Sequence, residues 1–178
     1  PFNESLIGFL NDGRILFSAA IQQDTGYGDF PGQTQLYAIP QNGGRPEQIT
    51  SLPIRNLSIN KDNKVLYEDY KGYEDPFRKH HTSSVTRDIW LYTPEAGQEG
   101  FSINGNGTFR KISDFIGEDR NPVFGTDGTT FYYLSEKDGT FNIYRSSIDN
   151  PGQSTQITFY KGNPVRYLNV SDSGVLCY

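Results

Sequence analysis

The sequence has no methionine, one cysteine, one tryptophan and two histidines among 178 residues. Cys177 by itself closes no internal disulfide and completes no paired-cysteine metal site, so cysteine usage is silent about compartment. Cations never run beyond the pair Arg78 and Lys79, and the formal net charge is -5. Phosphate binding needs a cationic stripe, so a nucleic-acid partner is excluded. The longest apolar stretch, Ile15 to Ile21, is far short of the roughly 20 residues of a spanning helix, and no membrane span is expected. A chain that opens on Pro1 and lacks methionine reads as a segment or a processed product, which leaves room for a removed leader.

What is present points to strands. Apolar residues make up only 34% of the chain while aromatics reach 14%, and 19 glycines and 10 prolines are spread along its whole length. That punctuation suits an all-β protein with many turns and excludes long helices. Four windows align: "NDGRILFSAA" (11–20), "KDNKVLYEDY" (61–70), "TDGTTFYYLSE" (126–136) and "SDSGVLCY" (171–178). Each is an Asp-centred turn followed by a strand. Asp12, Asp62, Asp127 and Asp172 are spaced by 50, 65 and 45 residues, and the shortest step is near the length of one four-stranded propeller blade.

Other elements keep the same phase. One strand precedes each turn ("SLIGFL", "IRNLSI", "NPVFG", "VRYLNV"). A further one follows the turn-strand unit ("QTQLYAI", "RDIWLYT", "FNIYRSSI"), and another closes it ("RPEQIT", "FRKIS", "STQIT"). Apolar residues fall on both faces of "KVLYED" and "TFYYLSE", as a sheet requires when neighbours cover it on each side. Radial stacking buries both faces and leaves short, protected edges. The expected fold is an all-β partial β-propeller of four-stranded antiparallel blades: blade one at 4–53, blade two at 54–119, blade three at 120–163 and a half blade at 164–178. The outer faces of the first and last units then lack neighbours, and self-association of the segment is expected.

"NGGRPEQIT" (42–50) and "TDGTTFYYLSEKDGTFNIYRSS" (126–147) resemble the WD40-like repeats of TolB and tricorn-type propellers. "YKGYEDPFRKHHTSSVTRDIWLYT" (70–93) is similar to a strand connection in the propellers of bacterial tricorn-like serine peptidases, relatives of the C-terminal-processing proteases. The resemblance implies an interior slice of such a protein, about three and a half blades of a larger ring. Its partners would be a peptide or protein substrate and the remaining blades and protease domain of the parent chain. It implies a non-catalytic segment that binds or gates peptides, in a periplasmic or secreted setting in a bacterium and otherwise in the cytoplasm. A TolB-like interaction scaffold of the cell envelope is the alternative.

Blade topology places the connections at 20–32 and 70–86 on one side, where the third, "EKDG" (136–139), is a tight hairpin. Long loops on a rigid scaffold are where binding concentrates. Arg78, His80, His81, Thr82, Ser83 and Arg87 supply groups for a peptide carboxylate or backbone carbonyls, and Tyr27 and Phe30 supply apolar area. The parts of a triad exist in Ser83, Ser84, His80, His81, Glu74 and Asp75, but no nucleophile elbow leads into a helix and no catalytic residue is assigned. Adjacent histidines without HExxH or EF-hand spacing give no metal site. No cofactor is implied. A purely structural loop is the competing reading: Arg78 and Arg87 paired with Glu74, Asp75 or Asp88, and the hydroxyls of Thr82, Ser83 and Ser84 bonded to loop carbonyls. Asn3, Asn56, Asn106 and Asn169 fit the glycosylation pattern, two of them in expected strands. "GQEGFSINGNG" (97–107) lacks the Lys of a phosphate-binding loop and is expected to be a flexible connection.

Overall fold

The four turn motifs fold alike in the computed structural model, which describes residues 4–21, 34–72, 82–98, 100–103 and 106–178. In each, a backbone amide reaches across the turn: Leu10 to the Arg14 carbonyl at 2.9 Å, Asn60 to Lys64 at 3.1 Å, Gly125 to Thr130 at 2.8 Å and Ser171 to Val175 at 2.9 Å. A short polar side chain then satisfies the amides at the start of the next strand. Asp12 accepts from the Arg14 amide, Asn60 from those of Asp62 and Lys64, Asp127 from those of Thr129 and Thr130, and Ser171 from that of Val175. Asn63 and Gly128 complete their turns at φ 59° and 72°, in the left-handed region that Asn and Gly tolerate best.

Three four-stranded antiparallel sheets follow one another in chain order. The first holds β1 (Ser5–Phe9), β2 (Ile15–Ala19), β3 (Gln35–Ile39) and β4 (Glu47–Thr50). The second holds β5 (Ile54–Ile59), β6 (Val65–Asp69), β7 (Ile89–Thr93) and β8 (Thr108–Lys111). The third holds β9 (Asp119–Phe124), β10 (Thr130–Ser135), β11 (Asn142–Ser147) and β12 (Thr155–Gln156), and β13 (Asn169–Val170) pairs with β14 (Leu176–Cys177) in a two-stranded ladder. In every sheet spatial order equals chain order, so consecutive strands are neighbours in space. Among the described residues no helix is long and apolar enough to cross a membrane.

The strand expected over 154–158 is paired only at Thr155 and Gln156, because a hydroxyl replaces part of the ladder. The Ile143 amide donates to Thr158 Oγ1 at 2.9 Å, while the Ile157 amide donates to the Ile143 carbonyl at 2.8 Å. The second sheet does the same: the Ile89 amide donates to Ser113 Oγ and the Ile112 amide to the Ile89 carbonyl, both at 2.9 Å. The recurrent "IT" and "IS" endings are thus hydrogen-bond devices, not only strand ends. Asn56 and Asn121, third residues of β5 and β9, both have positive φ, 41° and 51°, and the β9–β10 register shifts between Tyr132 and Leu134. A bulge of this kind twists and bends a strand.

The chain forms two compact units, Pro1–Ile54 with Pro94–Thr108, and Arg55–Thr93 with Phe109–Tyr178. In the first, Leu16, Leu36, Ala38 and Ile49 are buried together with Phe101 and Ile103 of the Gly-rich connection. The sequence reads that connection as flexible. Its described part is instead anchored, with the Ile103 amide on the Ile49 carbonyl at 3.3 Å and Arg14 on the Phe101 carbonyl at 3.2 Å, since two apolar side chains find a core despite the surrounding glycines. On β1, Leu6 and Phe9 are 69% and 66% exposed.

The second unit is stacked sheet on sheet. Leu66, Ile89, Leu91 and Ile112 of the β5–β8 sheet and its flank form one apolar cluster with Phe124, Phe131, Tyr133, Tyr144 and Ile148. Leu134, Phe141 and Ile143 on the other face of the β9–β12 sheet pack on Val165 and Leu168. The third sheet is therefore apolar on both faces, as its unbroken sequence pattern demands. Tyr167 and Tyr178, further along, are 79% and 60% exposed.

Candidate functional site

The connection from β6 to β7 is built on charge. Glu68, fully buried near the end of β6, accepts from Arg87 Nη1 at 2.9 Å and from the Asn121 amide of the β9 bulge at 2.9 Å. Arg87 is itself buried, and its Nε lies 3.4 Å from Glu118. A buried carboxylate between a guanidinium and a strand amide ties β6, the start of β7 and β9 to one point, and breaking one member strands the other charge away from water.

A second, more exposed layer surrounds this one. Asp88 receives Lys71 at 2.6 Å and Lys111 at 2.8 Å. Asp69 accepts from the Asp88 amide at 2.8 Å and from Trp90 Nε1 at 3.2 Å, and Lys71 also reaches the Thr86 carbonyl at 2.8 Å. Burial pushes the Asp88 carboxyl up, but the hydrogen bonds of Lys111 and Lys71 outweigh it and hold the group below the ordinary carboxylate value. Lys71 is held above its ordinary value by Asp88 and Asp69, against its own desolvation.

Of the residues singled out in the sequence, Tyr27, Phe30, Arg78, His80 and His81 lie outside the described residues. Thr82 is exposed. Ser83 Oγ accepts from the Val85 amide at 3.2 Å and its carbonyl accepts from Thr86 Oγ1 at 2.9 Å, so this hydroxyl serves an amide of its own turn, where the sequence suggests a loop carbonyl. Arg87 faces Glu68 and Glu118, while Asp88 takes lysines. Glu68, Asp69, Lys71 and Lys111 escape sequence reasoning because their partners are distant along the chain. One signal does mark the spot: "TRDI" (86–89) stands where the next sheet has "TFNI" (140–143).

In the first unit a cavity of about 280 Å³ lies beside Ile21, Tyr37, Arg45, Pro46 and Gln48. Its walls are largely apolar, with one guanidinium and one amide among the lining groups. Among the described residues no group of three or more His, Cys, Asp and Glu is arranged to hold a metal ion.

No protein-family model and no curated protein matches the sequence. Solved structures do. The crystal structure of the tricorn protease superposes with a TM-score of 0.67 at 21% identity, over 93% of this chain and 14% of that one. A putative TolB from Agrobacterium tumefaciens gives 0.63 at 19% identity, over 93% of this chain and 49% of that one. A puromycin-hydrolyzing peptidase from Mycobacterium tuberculosis gives 0.63 at 12% identity, over 98% and 27%. The chain therefore spans less than half the length of each of these proteins. Together with the four-stranded sheets, these likenesses establish the architecture: this is an all-β chain made of β-propeller blades of the kind found in the tricorn protease and TolB.

Proposed function

We propose that the chain is a non-catalytic propeller segment of a tricorn-like serine peptidase, with blades at 4–53, 54–119 and 120–163 and a half blade at 164–178, that binds or gates peptide substrates for a protease core lying elsewhere. The observation that carries this reading is the double layer of ion pairs rooting the 70–86 connection. Buried ion pairs are a poor way to gain stability, so the charges at Glu68, Lys71, Arg87 and Asp88 call for a reason beyond stability, and Arg78, His80, His81 and Thr82 in the connection they root supply groups suited to a peptide carboxylate or backbone carbonyls. The likeness to a puromycin-hydrolyzing peptidase agrees with this reading. A periplasmic or secreted setting and self-association of the isolated segment belong to it as well.

The test is fluorescence anisotropy of labelled mixed-sequence peptides with the chain and with Arg78→Ala and His80→Ala/His81→Ala. Binding that weakens several-fold in the variants, with an unchanged urea midpoint, supports the reading. Binding that is absent in the parent chain, or indifferent to these residues, overturns it. The TolB-like scaffold is the second reading, favoured by the 49% of the Agrobacterium protein that this chain covers. A parent reading frame with a downstream PDZ and serine protease domain would decide against it.

A further inference from the structure

Asp119 opens β9 where the third sheet meets the second. Its amide donates to the Arg87 carbonyl at 3.1 Å, and it stands opposite Ser135 in the β9–β10 register. The residue is 2% exposed, and its Oδ1 has no hydrogen-bond partner among the described residues. An ionised carboxylate with an unsatisfied buried oxygen is expensive, whereas the neutral acid has a proton to donate and less charge to desolvate.

The groups around it do not compensate. Ser135 contributes a hydrogen bond, and Lys137, in the turn after β10, is the attracting charge. Asp114, in the segment between β8 and β9, and Asp88, just before β7, repel it. Tyr133 on β10 and Tyr144 on β11 also feel its charge. Its chain neighbours are engaged elsewhere: Glu118 lies 3.4 Å from Arg87, and the Arg120 guanidinium lies 3.7 Å from the centre of the Phe141 ring. Burial, the largest influence, raises the Asp119 carboxyl from 3.8 to about 7.

We propose that Asp119 is a proton-operated latch on the junction between the β5–β8 and β9–β12 sheets, closed when the carboxyl is protonated and loosened when it ionises. One proton is exchanged with solvent and no other group changes. The latch sits under the root of the 70–86 connection, through the Asp119 amide on Arg87 and the Asn121 amide on Glu68, and it stands independently of any peptide-binding role.

The direction follows from linkage. Between the ordinary carboxylate value of 3.8 and about 7 the folded chain holds a proton that the unfolded chain has released. The stabilisation is complete below that span, falls as pH rises through it, and is gone above about 7. Urea unfolding of the chain and of Asp119→Asn, from pH 4.5 to 8.5, tests this. The variant keeps both histidines, a side-chain type whose ordinary value falls in the same range, so the difference isolates Asp119. The ratio of the two unfolding constants is expected to change by up to about tenfold per pH unit across the acidic half and to level off near pH 8, with the variant the more stable there. Parallel curves would overturn the proposal. If the variant does not fold, carbon-13 titration of the Asp119 carboxyl in the parent chain decides: a midpoint near neutrality supports it, one near an ordinary aspartate overturns it. Hydrogen exchange separates a latch from a uniform loss of stability, because protection of the Asp119 and Asn121 amides should drop above neutrality while the β10–β11 ladder holds. A drop shared by all amides would sink the latch.

Discussion

Two consecutive sheets solve one structural problem with different residues. Glu68 lies near the end of β6 opposite Ile89, and Leu134 holds the corresponding place on β10 opposite Ile143. Arg87 and Asp88 precede Ile89 as Phe141 and Asn142 precede Ile143. In the third sheet, whose connection is a tight hairpin, Leu134 and Phe141 are apolar core. Asn142 is a neutral clip there: it accepts from Thr158 Oγ1 at 3.0 Å and the Tyr160 amide at 2.8 Å, and donates to the Tyr160 carbonyl at 3.0 Å. In the second sheet, whose connection is long, the same places hold Glu68, Arg87 and Asp88. The third sheet shows that a blade can hold apolar residues at these places, and the second puts a charged set there, at the root of its long connection.

The largest expected effect comes from breaking the buried pair. Glu68→Ala leaves Arg87 with Glu118, 3.4 Å from its Nε, but without the carboxylate hydrogen-bonded to its Nη1, and the Asn121 amide without its acceptor; it should lower stability by about 3–5 kcal/mol, read as the fall in urea midpoint at constant m. Installing the third sheet's solution in the second, Glu68→Leu with Arg87→Phe, should lose less, because an apolar pair replaces an ion pair, the remaining cost being the Asn121 amide without its acceptor and Glu118 without the Arg87 charge 3.4 Å away. A double variant as unstable as Glu68→Ala would mean that the charges are required by the fold itself.

The neutral clip should matter less. Asn142→Ala removes the acceptor for Thr158 Oγ1 and the Tyr160 amide and the donor to the Tyr160 and Thr140 carbonyls in a buried setting, an expected loss of about 1–3 kcal/mol. Asn142→Asp keeps the acceptors but adds a charge at a place that in the second sheet is neutralised by Lys71 and Lys111. It should be more destabilising than the same change at an exposed site.

These correspondences mark what a single sequence discloses. Asp-centred turns, strand phase and two-faced sheets were legible because each rests on neighbours within a few residues. The role of the "IT" and "IS" endings was half visible: the positions recur, but a hydroxyl bonding the amide of Ile89 or Ile143 is a contact across strands. Burial of Glu68 was not visible, since "KVLYED" reads as apolar residues followed by a polar end, and its partner amide at Asn121 lies 53 positions away. Arg87 looked available to a ligand for the same reason; only the fold brings Glu68 and Glu118 to it. Arg78, His80, His81, Tyr27 and Phe30 remain sequence-level candidates, resting on loop length and chemistry.

The finest comparison exchanges a single atom. Asp88→Asn gives the second sheet the third sheet's residue, keeps an oxygen for Ser113 Oγ, now at 3.3 Å, and removes the charge that Lys71 and Lys111 hold. Both lysines are partly solvated, with side chains 33% and 44% exposed, so screening limits the loss at neutral pH to roughly 1 kcal/mol or less. The Asp88 carboxyl is lowered in the folded chain from 3.8. Its contribution is therefore present above that ordinary value and disappears as pH falls through the lowered folded one. Wild type and Asp88→Asn should differ at neutral pH and converge in acid, the opposite dependence to that of Asp119. Curves that stay apart in acid would show that Asp88 acts through shape and hydrogen bonding alone, as Asn142 does, and would remove the electrostatic distinction between the two sheets at this position.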